Sequence, residues 1–259
     1  MKIRTFVPVC RLAGLGVALA ASLGLAQAAG APAVTRVFIV VVPPAQDQAF
    51  TQGMKDWHKC LHDHGSKQPG LAYSALTGDL DRYLFLDEHG TWADMDAHDP
   101  AEKTCGPTFV SEVLPHAGQA FSEIAELNSK DTYMPAADPD PPPMMWVDLY
   151  RLKPGQKESF EGVLAKYAAA AAKTHWEGHF ASYDIEGAPQ GAENFVVVWP
   201  NKSWADIGRD PKPSPKELAQ SVYGKAAARV LHDKYIAAIA AQWSDTWTYQ
   251  KDLSYIPAK

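Results

Sequence analysis

Cysteine is scarce in this chain, with three in 259 residues. No Cys-x-x-Cys pair occurs, which excludes a thioredoxin-type redox motif or a paired-cysteine zinc knuckle. There is no Gly-x-Ser-x-Gly elbow for a serine hydrolase and no His-Glu-x-x-His metalloprotease signature. The one glycine-rich loop, Gly187-Ala188-Pro189-Gln190-Gly191, does not open a helix after a strand. It reads as a hairpin loop rather than a phosphate cradle. Asp and Glu are scattered, so no acid/base pair stands out. Basic charge is also in deficit: 24 Lys and Arg against 30 Asp and Glu give a net charge of −6. Such a balance gives no electrostatic reason to bind nucleic acid or an anionic membrane.

Long apolar runs are missing everywhere except near the start. Lys2, Arg4 and Arg11 precede the run Leu12 to Leu25, and Ala26-Gln27-Ala28 follows as a small-x-small cleavage site. That order is a secretory signal over residues 1–28. The run falls short of the roughly 20 apolar residues a spanning helix needs. An exported product, periplasmic or extracellular, is expected, with no membrane insertion after cleavage. Loss of the three basic leader residues takes the net charge to −6 − 3 = −9. Cys60 and Cys105 then remain, and outside the cytoplasm an even pair points to a disulfide, with two buried free thiols as the alternative.

The mature chain states one pattern twice. Pro44-Ala45-Gln46-Asp47-Gln48-Ala49-Phe50 is echoed by Pro154-Gly155-Gln156-Lys157-Glu158-Ser159-Phe160, 110 positions later. Each copy follows an apolar strand-like run, Val37 to Val42 or Trp146 to Leu152, and opens a helix. In the first helix Phe50, Met54, Trp57 and Leu61 share a face, and Phe160, Leu164, Tyr167 and Ala171 match them. Strands follow at Leu71 to Leu76 and Tyr83 to Leu86, and again at His179 to Ile185 and Phe195 to Trp199. Thr91-Trp92-Ala93-Asp94 is echoed by Ser203-Trp204-Ala205-Asp206. Second helices are expected over Phe109 to Leu127 and over Pro215 to Ala241, the latter broken near Gly224. Lys130-Asp131-Thr132-Tyr133-Met134-Pro135 is echoed by Lys251-Asp252-Leu253-Ser254-Tyr255-Ile256-Pro257. The offset drifts from 110 to 112 to about 122, as loop insertions would make it.

These echoes predict an α+β protein of two βαββαβ, ferredoxin-like units at residues 34–137 and 145–259, joined by a stiff Pro-rich linker at 138–144. Each sheet has one bare face, which the other unit is expected to cover, sheet to sheet, as a barrel-like pseudo-dimer. A strand, then Lys-Pro-Gly-x-x-x-x-Phe opening a helix, then a strand pair ending in Ser-Trp-Ala resembles the dimeric α/β-barrel superfamily. The tandem form, with its leader and terminal Ser254-Tyr255-Ile256-Pro257, resembles exported bacterial members of uncharacterised function. The resemblance implies a fold that hosts cofactor-free monooxygenases, haem-binding enzymes and stress-related proteins. It transfers no catalytic residue.

Candidate sites come from the residues themselves. His116 and His232 lie 116 positions apart and are expected at equivalent places on the second helices. A neutral imidazole there would take a proton from a phenol-like substrate or ligate haem iron. His58 and His62, at i and i+4, share a helical face as half of a metal site. Asp63 or His98 is a conceivable third ligand, while Cys60 lies on the flank of His64 instead. Trp57, Tyr167, Trp92 and Trp204 are expected in the core, with a flat-ligand pocket as the alternative. Tyr150 and Tyr183 lie on strands that line the sheets, and with Trp57 and Tyr167 they form the candidate ligand-binding set. The expected function is binding of a small apolar or aromatic molecule in the barrel, with monooxygenase-like chemistry. No cofactor is required, haem is the alternative cofactor, and a non-catalytic envelope protein is the third reading. Homo-oligomerisation stays open.

Overall fold

Val34–Val41 (β1) is a β-branched, apolar strand that ends at Pro43 and Pro44, which have no N–H to continue a ladder. The structure, a computed structural model, describes residues 34–134 and 140–257. The leader read at 1–28 and part of the linker lie outside the described residues. From β1 the chain enters helix Asp47–Asp63 (α1), which buries Phe50, Met54 and Leu61 on one face. Strands Gly70–Ala75 (β2) and Arg82–His89 (β3) follow. Helix Pro100–Thr108 (α2) begins at Asp99, whose side chain accepts the N–H of Ala101. A π turn at Phe109–Val113 and a 3-10 turn at Leu114–His116 lead into strand Gln119–Leu127 (β4).

The second half runs Met144–Leu152 (β5), Lys157–Thr174 (α3), Ala181–Glu186 (β6) and Phe195–Asn201 (β7). The short helix Trp204–Ile207 (α4) precedes helices Pro215–Tyr223 (α5) and Lys225–Ala238 (α6), and strand Ile239–Tyr249 (β8) ends the sheet. Ser214 and Glu217 form a reciprocal capping box at the start of α5. Gly224, at φ 82°, separates α5 from α6 where the sequence places a break.

The eight strands close into one antiparallel barrel in the order β1-β3-β2-β8-β5-β7-β6-β4. Within it each half keeps the same order: β4-β1-β3-β2 and β8-β5-β7-β6. Cross-strand register makes the correspondence residue by residue. Arg36 faces Asp87 and Ile124, and Trp146, 110 positions on, faces Trp199 and Thr246, which are 112 and 122 positions on. The halves meet where β2 pairs with β8 and β4 with β6. Each half also latches onto the other. Tyr255 pairs with Gly70 by two backbone hydrogen bonds and its hydroxyl donates to the Ser66 carbonyl at 3.0 Å. Tyr133 pairs with Phe180 in the same way and donates to the Trp176 carbonyl at 3.3 Å.

Helices pack outside the barrel. Phe50, Met54, Val42, Val113 and Ala72 form the core under α1, and Phe160, Leu164, Tyr150, Phe195 and Leu218 form the core under α3 and α5. The barrel axis carries its own core from all eight strands, including Val37, Tyr73, Leu84, Ala125, Val147, Ile185, Val196 and Trp247. Cys60 on α1 and Cys105 on α2 are joined as a disulfide.

Two expectations fail. The segments read as helical at 119–127 and at 239–241 are strand β4 and the first residues of strand β8. Each strand turns an acidic residue toward the barrel axis, Glu123 facing Val37 and Asp245 facing Val147. Glu123 interrupts the apolar alternation by which a half-buried strand is recognised, and Ile239-Ala240-Ala241 continues the alanine-rich run of α6. Trp92 and Trp204, expected in the core, are 45% and 53% exposed in the turns that follow β3 and β7.

Close packing makes a specific demand at Gly53. A Cβ there would lie 2.0 Å from the Glu112 carbonyl oxygen in the π turn. Gly162 on α3 meets nothing within 4 Å. Gly53→Ala is therefore expected to lose about 1–3 kcal/mol of stability in urea titration through overpacking. Gly162→Ala should gain up to about 1 kcal/mol through helix propensity. Equal effects at the two sites would contradict this packing.

Candidate functional site

A polar cleft opens on the outer face of the first half's sheet. It is a cavity of about 500 Å³ between the ends of β1 and β3, the end of α1 and the start of α2. Arg36, His64, Gln68, Asp87, His89 and Glu102 line it, with His98 and Asp99 from the loop before α2. Arg36 from β1 and Asp87 and His89 from β3 alternate with inward-facing residues, which places them on the helix side of the sheet.

The strongest chemical feature is a pair on one strand. Asp87 and His89 are two residues apart, so they share a face, and His89 Nε2 lies 3.2 Å from Asp87 Oδ2. Gln68 Nε2 donates to the other oxygen, Asp87 Oδ1, at 2.8 Å and to the Glu88 carbonyl at 2.8 Å. An ionised carboxylate only accepts, so Nε2 carries a proton, and in the neutral ring Nδ1 keeps its lone pair. This is the arrangement of an oriented base: a carboxylate fixes the tautomer and the free nitrogen accepts a proton. Only 10% of the His89 side chain is exposed, which shields the base from bulk water. Nearby, burial pushes the Glu102 carboxyl up, Asp87 and Asp99 add to this, and Arg36 and His89 oppose it. Asp99 is held below the usual range, first by the Ser66 hydroxyl at 2.6 Å and then by backbone N–H groups.

The second half fills the corresponding space. Trp146 and Trp199 stand at the register positions of Arg36 and Asp87. Trp176 stands where the first half has Ser66: each bonds through its N–H to the carbonyl five residues back, and each carbonyl receives the latching tyrosine. Asp148 organises this block, accepting from Trp146 Nε1 at 2.9 Å, Trp199 Nε1 at 2.9 Å and the Ser244 hydroxyl at 2.6 Å. Trp199 packs on Trp176 and Phe180. One scaffold thus holds a polar cleft in one half and an indole plug in the other.

The residues nominated from sequence scatter. His116 ends the 3-10 turn before β4, where its Nδ1 donates to Gln46 Oε1 at 2.8 Å. His232 lies within α6. They are not equivalent: His116 precedes its strand by 3 residues and His232 by 7, because the register offset in this region is 122 rather than 116. His58 is half-buried against Trp57 and Tyr255, and desolvation lowers it to about 4. His62, one turn on, is 65% exposed, so the two do not converge on a shared cavity. Trp57 packs edge-on to Phe109 in the first helix–sheet core. Tyr167 borders the second core, and Tyr150 lies within it, accepting from the Tyr235 hydroxyl at 2.8 Å. Tyr183 packs against the barrel axis. These four aromatics belong to three separate clusters.

The axis is not purely apolar. Glu123, Glu193 and Asp245 are buried, and Arg82 donates to Asp245 at 2.8 Å. Desolvation, with Glu193 adding to it, pushes Glu123 up to about 7. Sequence inspection missed both this group and the His89–Asp87 pair. The alternation Asp87-Glu88-His89 was the available signal for the latter.

No protein-family model matches the chain, and no curated protein matches its sequence. Solved structures do match in fold. A chlorite dismutase variant from Candidatus Nitrospira defluvii aligns at a TM-score of 0.52 and 9% identity, over 86% of this chain and 94% of its own. A proposed monooxygenase from Lactobacillus acidophilus NCFM gives 0.51 and 7%, over 86% and 95%. An anthrone oxidase-like protein gives 0.51 and 13%, over 84% and 91%. At these identities the similarity is one of fold alone, and that fold is the dimeric α/β barrel.

The Glu123 shift has a testable sign. A carboxyl raised in the folded state binds more protons folded than unfolded between about 4.5 and 7, so stability falls as pH rises through that window. Relative to Glu123→Gln, the wild-type chain should lose on the order of 3 kcal/mol between pH 4 and pH 8 in urea titrations. A constant difference across that range would contradict the buried placement.

Proposed function

We propose that this is an exported small-molecule-binding protein whose first-half cleft performs base-assisted, monooxygenase-like oxidation of a compact aromatic substrate. One observation carries the reading: the His89–Asp87 pair on the wall of the roughly 500 Å³ cavity. A cavity of that size suits a small ring system. An imidazole with a free Nδ1 would take the proton from a phenol or from an acidic C–H beside a ring carbonyl. The resulting anion is electron-rich enough to react with dioxygen itself: at a ring CH2 beside a carbonyl, one oxygen atom becomes a new carbonyl and the other leaves as water, so the protein's own part is to bind, orient and deprotonate. Arg36 at the cleft lip would attract the developing negative charge.

The fold neighbours described as a monooxygenase and as anthrone oxidase-like support this reading by analogy only. Export is supported by the leader at residues 1–28 and by the cystine in a chain otherwise poor in cysteine. For haem ligation the residues nominated from sequence fit poorly. His116 is engaged by Gln46, and neither it nor His232 lines the cleft.

The test uses chain purified from the extracytoplasmic fraction, with dioxygen uptake followed on an added anthrone. Uptake should fall by roughly 10²–10⁴-fold in His89→Ala and less in Asp87→Asn. Tight anthrone binding without uptake would reduce the protein to a binding module. Uptake that survives His89→Ala would remove the base, and recovery of the chain only from the cytoplasm would overturn export.

A further inference from the structure

The end of α1 and the middle of α2 bring three ligand-type side chains together. Cys60, His64 and Cys105 have their ligand atoms within 4.8 Å of one another. His64 Nδ1 lies 3.6 Å from Cys60 Sγ and 3.7 Å from Cys105 Sγ. We propose that reduction of the Cys60–Cys105 disulfide converts this cluster into a site for a thiophilic divalent cation of the zinc class, held by two thiolates and the His64 imidazole.

The distances support the assignment. With zinc–sulfur bonds of about 2.3 Å and zinc–nitrogen bonds of about 2.0–2.1 Å, a tetrahedral site has sulfur–nitrogen edges of about 3.6 Å. Both sulfur–histidine edges therefore already stand at the length a bound ion requires. Only the sulfur–sulfur edge must open, to about 3.8 Å, once the bond is broken. Cα atoms 5.8 Å apart leave that movement to side-chain rotation. The elements are well placed for it: Cys60 lies in the last turn of α1, His64 caps that helix four residues on, and Cys105 is fully buried on the facing helix. Two soft thiolates with one imidazole select zinc-like ions over calcium or magnesium, which take oxygen ligands.

The chemistry balances in two steps. A dithiol, or a phosphine together with one water molecule, supplies two electrons and two protons, and the S–S bond becomes two thiols; the dithiol is oxidised to a disulfide, or the phosphine takes the water oxygen as its oxide. Binding of the cation then displaces two thiol protons, and Nδ1 gives up its 2.9 Å hydrogen bond to the Cys60 carbonyl. Three protein ligands leave the fourth position open. Because His64 also lines the polar cleft, that position is available to water or to a donor atom bound in the cleft. The site is independent of the base assigned to His89, so either can fail without the other.

The experiment is a titration of cobalt(II), a spectroscopic stand-in for zinc, into the full mature chain under anaerobic conditions, with and without a phosphine reductant. The reduced chain should develop a thiolate-to-cobalt charge-transfer band that zinc abolishes, and the oxidised chain should not. His64→Ala should weaken cobalt binding by roughly 100-fold or more while leaving the disulfide able to form. Cys60→Ser with Cys105→Ser should remove the band, with far-ultraviolet circular dichroism recording whether the fold survives. No band in the reduced chain, or a band unchanged in His64→Ala, would overturn the proposal. So would reduction that unfolds the chain without recovery on adding metal.

Discussion

Everything in this molecule depends on closing the open edges of two four-stranded sheets. A ferredoxin-like sheet presents a bare face and two edges whose N–H and C=O groups would otherwise pair with any available strand. Here β2 of one half takes β8 of the other, and β4 takes β6, so no edge is left at the seams. The tyrosine latches extend each seam. Tyr255 and Tyr133 add two backbone hydrogen bonds apiece and cover a carbonyl at the end of the opposing half's first helix. Each such bond contributes about 1 kcal/mol net, so the latches matter chiefly by fixing register. The shared barrel core then couples the halves through packing contributed by every strand.

With the scaffold secured twice over, the two halves are free to differ where they do not touch. The outer face of β5 and β7 carries Trp146 and Trp199, bound through Asp148 into a rigid block. The outer face of β1 and β3 carries Arg36, Asp87 and His89 at a cavity. Large aromatics bury some 150–250 Å² each, so the plug favours stability. The cleft gives up that burial for polar groups that are satisfied by one another, Asp87 by Gln68 and His89, and Asp99 by Ser66. A half packed with indoles beside a half with an open polar cleft is the asymmetry on which the proposed function rests.

How much of this was legible in the residues follows from which signals survive burial. The duplicated Pro-to-Phe helix opening and its fourfold apolar stripe marked α1 and α3, because amphipathic helices keep their period regardless of what they pack against. The 122-position offset of the tyrosine tails marked Tyr133 and Tyr255 as equivalents, but not that each latches onto the opposite half. Strand β4 was read as helix because Glu123 occupies an inward position where an apolar residue is expected, and the start of β8 because Ile239-Ala240-Ala241 continues the alanine-rich run of α6. That misreading also misaligned His116 with His232. The candidate site was mostly illegible. His89 and Asp87 look like any strand-end polar pair until β3 is known to pass beneath the end of α1. The plug in the second half hides the counterpart from any search for repeated chemistry, since Trp146 and Trp199 replace charged residues. The disulfide partners were identifiable by count, but the approach of His64 to both sulfurs depends on α2 packing across α1.

A closed barrel with a shared core requires the two halves to be one cooperative body. Differential scanning calorimetry of the intact chain measures this. A single transition, with calorimetric and van't Hoff enthalpies in agreement, is the result expected of a closed barrel with a shared core and reciprocal latches. Two separable transitions, each with the enthalpy of about half the chain, would contradict it and return the halves to independent domains.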